Sequence, residues 1–291
     1  MAEGNGRDLH YSRGAWNPAE GPMRIMVIGA HPDDPDFHCG ASAALWAKRG
    51  ARVVFVSLTN GDKGHQSMDS AALAVRRRAE TEASARVYGI ERYIVLDHHD
   101  CELESTLDAR RELTRIVRDF APHAIFTHRT CDYHADHRAA GQLVMDATYL
   151  LGVPLWCPDC PVPEAKPAVY YLRDGFERPW SQTPDLAVAL DDESVALQVR
   201  AIACHESQVF EWLPYDMGVL DEVPDKGDAA AVATYISKYW IEPRCGADAR
   251  RYGLGCAHAD VFCLSEYGRT PTAEEVLFLG DGVKPVVKRK H

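Results

Sequence analysis

Four short apolar runs, each followed by a longer helical stretch, restrict this chain more than any other feature of it. The runs are Arg24 to Gly29, Arg52 to Leu58, Arg92 to Leu96 and His123 to Thr127. They are rich in Val, Ile, Phe and Leu and too short for helices, so they read as strands buried on both faces. The intervening segments predict helices over Ala41 to Gly50, Ser70 to Tyr88, Leu107 to Phe120 and Arg138 to Leu151. Gly50 and Gly89 stand where left-handed caps belong, and Pro122 stops the third helix. Strand-helix alternation with right-handed crossovers gives an α/β fold, a Rossmann-like three-layer sandwich around a mostly parallel sheet. The expected strand order is 3-2-1-4, with additional C-terminal strands from Ala168 to Leu172, Leu186 to Leu190 and Asp260 to Tyr267. The aromatic stretch from Val209 to Ile241 has no clear period and predicts no element.

In that order the first and fourth strands are neighbours, and ligands bind beyond their carboxyl ends, where the connections diverge. Both ends carry metal-type residues. His31, Asp33 and Asp34 follow the first strand, in the segment Ile28 to Gly40, and Asp132-Tyr133-His134-Ala135-Asp136-His137 follows the fourth. Topology alone therefore brings the two clusters together. Imidazoles and carboxylates suit a hard or borderline divalent ion, and three protein ligands plus a water is the arrangement of a catalytic zinc site. His31, Asp34 and one histidine of the second cluster would supply those ligands. Asp33 would remain free as a general base, and the other histidine could meet the oxyanion while protonated. An Asp-Asp pair after a strand is also a common helix cap, and isolated histidines such as His128 and His205 carry little motif information. The first turn, Gly-Ala-His-Pro-Asp-Asp, places carboxylates where a dinucleotide-binding turn needs room for phosphate.

Composition narrows the class further. The 291 residues read as one domain, residues 23–291, behind an extension, residues 1–22, expected to be partly ordered, with a frayed basic tail expected from Lys284 to His291. A net charge of -11 opposes a nucleic-acid-binding surface, and no apolar run is long enough for a membrane span. The extension has no apolar centre, so a cytoplasmic chain is expected. The nine cysteines lack a framework pattern, and Cys157-Pro158-Asp159-Cys160 lacks the second pair that a structural zinc site needs.

With both clusters in view, the sequence resembles the LmbE/PIG-L family of zinc-dependent N-deacetylases. Ala30-His31-Pro32-Asp33-Asp34-Pro35-Asp36 is similar to the family's A-H-P-D-D-x-E, and Asp132 to His137 to its D-x-H-P-D-H. Weaker similarity covers Asn60 to Gly64, Arg77 to Glu80, Asp100 and His205 to Gln208. The resemblance implies a zinc ion on His31, Asp34 and His137, with Asp33 as general base. It implies His134 as oxyanion stabiliser, Asp136 as the carboxylate that orients it, and Arg77 and Asp100 as substrate contacts. The activity implied is removal of an acetyl group from an N-acetyl amino sugar or glycoconjugate by zinc-hydroxide attack on the amide; a homo-oligomer is compatible with it. Another amide or ester hydrolase on the same site, or a non-catalytic binder, is the alternative. Asp36 stands where Glu is usual, Ala135 where Pro is usual, and His38 beside the site where a glycine is usual.

Overall fold

A computed structural model of the chain describes residues 14–280. Residues 1–13 and the expected tail at 284–291 lie outside the described residues. One seven-stranded sheet runs through the molecule in the order β3-β2-β1-β4-β5-β7-β6. The strands are β1 (Arg24–Gly29), β2 (Arg52–Thr59), β3 (Arg92–His98), β4 (Ala124–Thr127), β5 (Ala168–Tyr171), β6 (Leu186–Leu190) and β7 (His258–Leu264). The first five are parallel, and β7 runs antiparallel between β5 and β6. The 3-2-1-4 half is as the alternation predicts.

Strand periodicity decides the layers, because successive side chains point to opposite faces. Ile25, Val27, Val53, Phe55 and Phe126 pack on one face with Trp46, Tyr170 and Phe262. Met26, Ile28, Val54, Val56 and Ile125 pack on the other with Leu113, Val117, Leu143 and Val144. The first face is covered by α1 (Asp34–Lys48), α2 (Ser70–Tyr88) and α5 (Asp192–Ile202), the second by α3 (Leu107–Phe120) and α4 (Ala135–Leu150). Trp46 is fully buried, stacks on Phe126 at 4.8 Å and donates its indole N–H to the Leu279 carbonyl.

The predicted bounds of α2 and α3 match, but α1 and α4 begin earlier than expected. Both start inside the motifs, with Asp33 and His134 at the N-cap positions. Pro35 in the first turn of α1 lacks only an N–H that the helix would not use. Beyond α5 the aromatic stretch contains a π-helical turn, Ser207–Trp212, a helix at Ala229–Ile236 and a longer π-helical run, Ser237–Gly246. No disulfide joins any of the nine cysteines. The Cys157 to Cys160 turn is held by Arg118, which donates to the carbonyls of Leu150, Leu151, Val153, Cys157 and Cys160. No helix is long and apolar enough to cross a membrane among the described residues.

Candidate metal centre

The centre is built where β1 and β4 lie side by side, with Ile28 opposite Thr127. At the end of β1 the chain folds back sharply: a Cβ on Gly29 would lie 2.6 Å from the Asp34 Cβ, so only glycine admits the first turn of α1 here. That approach lets Asp34 Oδ2 accept hydrogen bonds from the Ala30 and His31 amides, at 2.9 and 2.8 Å. His128 Nε2 lies 3.1 Å from the same oxygen. Asp34 Oδ1 is left facing His137 Nε2 at 3.3 Å.

Three donor groups converge. His137 Nε2 is 3.3 Å from His31 Nδ1, and His31 Nδ1 is 3.4 Å from Asp34 Oδ2. Around a tetrahedral ion with ligand bonds of about 2.0–2.1 Å, neighbouring ligand atoms stand about 3.3–3.4 Å apart. The outer nitrogens fix the tautomers. His31 Nε2 lies 3.2 Å from Asp100 Oδ1 and 3.4 Å from Asp136 Oδ2, and His137 Nδ1 lies 3.1 Å from Asp132 Oδ1. With the protons held on those outer nitrogens, each inner nitrogen turns a lone pair toward the other and toward the Asp34 carboxylate. A histidine whose second nitrogen donates to a carboxylate is the usual metal-bound arrangement. Overlapping groups with metal-ligating spacing, His31/His134/His137 and Asp34/His128/His137, meet at His137.

The electrostatics ask for a cation at the same point. Burial alone would lower the His137 pKa, but Asp34 and Asp132 outweigh it and carry the group up to about 9. Burial likewise opposes charge on His31, and Asp100, Asp136 and Asp34 raise it nonetheless. Burial would raise the Asp34 carboxyl; His137 and His128 hold it well below the usual range. A constellation that binds protons this tightly is one whose acceptors lack a positive partner. The donor set fits a divalent ion.

Asp33 does not cap α1 with its side chain. Its Oδ2 lies 2.8 Å from Arg77 Nη2, and that guanidinium is buried against Gly61. Gly61 has φ +67°, and a Cβ there would lie 2.5 Å from Arg77 Nη1. The glycine loop therefore seats Arg77, and Arg77 seats Asp33. Arg77, expected at the substrate, is a wall of the cleft with its charge turned on Asp33. Asp100 also borders the cleft, but its carboxylate meets His31; burial opposes its charge, and His31 holds it below the usual range all the same.

Asp136 departs from the expected role. Its carboxylate accepts the Cys101 amide at 2.7 Å and the Leu103 amide at 3.3 Å and faces His31, not His134. What holds His134 is the Asp136 backbone N–H, which donates to His134 Nδ1 at 3.2 Å. The proton of a neutral His134 therefore sits on Nε2. Burial, then His31 and His137, lower its pKa, which works against the protonated form expected. Asp36 faces away from the cleft, toward the Ser84 hydroxyl and His205 Nε2, which explains the likeness at His205. His38 lines the cleft, and burial keeps it neutral.

The cleft over the centre has a volume of about 390 Å³. Its far side comes from residues that the sequence did not single out: Arg173 and Phe176, Trp212, and Trp240 and Arg244 of the π-helical run. Asp132 and His128 were also without assigned roles. The place of Asp132 at the head of its motif was the signal for it; His128 gave none beyond standing at a strand end.

Fold and donor set together define an α/β protein with a His/Asp cluster of metal-ligating spacing at the carboxyl edge of a parallel sheet. Residues 26–148 match the family model described as PIG-L, GlcNAc-PI de-N-acetylase. Diacetylchitobiose deacetylase of Thermococcus kodakarensis is 28% identical over 208 residues, 68% of this chain and 76% of that one. A 1D-myo-inositol 2-acetamido-2-deoxy-alpha-D-glucopyranoside deacetylase of Saccharopolyspora erythraea is 27% identical over 227 residues, 63% of this chain and 83% of that one. Among solved structures, N,N'-diacetylchitobiose deacetylase of Pyrococcus horikoshii shares the fold, with a TM-score of 0.67, 23% identity and 87% of each chain covered. Residues 26–148 thus form a PIG-L (LmbE-like) deacetylase-type domain.

Proposed function

We propose that the protein is a metal-dependent N-deacetylase that releases acetate from an N-acetylglucosamine-type sugar or glycoconjugate, with zinc on His31, Asp34 and His137. The observation that carries this is the triangle of Nδ1, Nε2 and carboxylate oxygens at 3.3–3.4 Å, with Asp33 beside it in a sugar-sized cleft. The relatives named above act on N-acetylglucosamine units, which supports the substrate class. When bound, the ion would bring the pKa of a coordinated water to about 7 and polarise the acyl carbonyl. Asp33, fixed by Arg77, accepts the proton of the attacking water and returns it to the leaving nitrogen. His134 donates its Nε2–H to the developing oxyanion. Asp132 and Asp100 keep the ligand histidines in the tautomers that ligation needs. Nine cysteines without a disulfide fit a reducing compartment, which supports the cytoplasm as the place of work.

Acetate release by the zinc-loaded protein, measured across diacetylchitobiose, N-acetylglucosamine and N-acetylglucosaminyl-inositol, tests this reading. Turnover of at least one is expected. Acetate from none of them, by protein shown to hold stoichiometric zinc, would overturn it.

A further inference from the structure

The four cationic side chains that border the cleft are not equivalent. Lys63 pairs with Glu102, Arg77 with Asp33, and Arg173 with Asp248 at 2.9 Å. Arg244 pairs with no carboxylate among the described residues. Its guanidinium lies 5.7 Å from the Phe37 ring centroid, and its Nη1 is wholly enclosed without a hydrogen-bond partner. The acids of the surrounding turns are engaged elsewhere. Glu242 meets His258 and Arg250, Asp248 meets Arg173, and Asp260 accepts from Ser42 and Cys245. Asp34 also acts on it electrostatically, after Cys245, but its carboxylate faces the histidines of the candidate metal centre.

A guanidinium withdrawn from water without a partner is unfavourable, and such a group persists in a cleft when its partner arrives with the ligand. The planar fork suits carboxylate or phosphate oxygens. We infer that Arg244 is an anion-recognition residue, so that the preferred substrate is an N-acetyl amino sugar bearing a carboxylate or phosphate. This rests on the deacetylase reading and names the substrate class within it. The acyl group would lie at the metal centre and the anion against the C-terminal wall, with Phe37 beneath the guanidinium.

The test compares kcat/KM for N-acetylglucosamine, N-acetylmuramic acid and N-acetylglucosamine 6-phosphate in the zinc-loaded wild type and in Arg244→Gln. One of the two anions should be favoured over the neutral sugar in the wild type, and the variant should shrink that ratio by about 10- to 150-fold, the worth of a charged hydrogen bond. Whichever anion shows the effect tells carboxylate from phosphate. A ratio that survives in the variant, or a fall shared equally by neutral and charged sugars, overturns the assignment; the second result would place Arg244 on the oxyanion. Arg244→Lys keeps the charge without the fork and serves if the first variant does not fold, with a several-fold fall expected and an unchanged ratio again overturning the idea. Calorimetric titration of glucosamine 6-phosphate, glucosaminuronic acid and glucosamine reads the same site without turnover. Should no sugar be deacetylated, the function above falls while the titrations still decide the role of Arg244: equal binding of all three sinks it.

Discussion

The two walls of the cleft are made differently. The inner wall consists of residues at strand ends and helix starts, and its charges answer one another: Asp132 to His137, Asp100 to His31, Arg77 to Asp33. The outer wall comes from the loop after β5 and from π-helical backbone, carries Phe176, Trp212 and Trp240, and contains a guanidinium with no carboxylate partner among the described residues. A closed network of that first kind fixes a reaction, because every group's orientation is set before substrate arrives. An open surface of the second kind fixes a choice of substrate, because its unsatisfied groups reward only a complementary ligand. Substitutions on the two walls should therefore separate metal content and rate from substrate preference.

The largest effect is expected of His137→Ala. It removes a ligand, so elemental analysis should find the ion lost and acetate release should vanish with it. Stoichiometric metal in that variant would move the centre to the neighbouring His31/Asp100/Asp136 group. Asp33→Asn should keep the metal and lower kcat by about 10²- to 10⁴-fold, the range for a missing general base. Loss of the ion from this variant would make Asp33 a ligand instead. Asp132→Asn leaves the ligand set whole but removes the acceptor that orients His137; competition with a chelator should reveal about 10- to 100-fold weaker metal binding. On the outer wall, Trp212→Ala should leave metal content alone and raise KM by about 2- to 10-fold, the scale of a lost aromatic contact. A change in metal affinity there would blur the division between the walls.

One group ties the walls together and gives a pH dependence. Asp260 on β7 accepts from Ser42 of α1 and from the Cys245 thiol of the π-helical run. Burial, only partly offset by those hydrogen bonds, raises its carboxyl to about 6. The folded protein thus holds this proton more tightly than the unfolded chain, whose value is about 3.9. The resulting stability is complete below the unfolded value and lost as pH climbs through about 6. The loss is on the order of 2–3 kcal/mol. Denaturant melts of the wild type should weaken over that window, and Asp260→Asn should flatten the curve. An equal slope in the variant would assign the dependence to another group.

The inner wall was legible in the sequence because strand ends and motifs are local signals. Apolar runs placed β1 and β4, the order 3-2-1-4 made them neighbours, and His31, Asp34 and His137 met where the order required. What stayed hidden was which side chain each charge would face. Arg77 and Asp136 were given to substrate and to His134, yet they serve Asp33 and His31, because pairing across 44 or 105 residues leaves no trace in spacing. The helix starts were misplaced since His134 and Asp33 occupy cap positions as well as the site. Arg244 gave no signal at all: its backbone follows neither the 3.6- nor the 2-residue period, and Pro243 beside it argues against a helix.

The position of β7 bears on how the protein is made. Every inner-wall donor lies before residue 138, whereas the strand that β5 and β6 both require ends at Leu264. At synthesis rates of about 5–20 residues per second, roughly 6–25 s separate the emergence of His137 from that of the closing strand. At the start of that interval the proposed ligands have been made while the outer wall has not. An ion held as proposed would therefore meet its ligands through an open approach that the finished cleft later narrows.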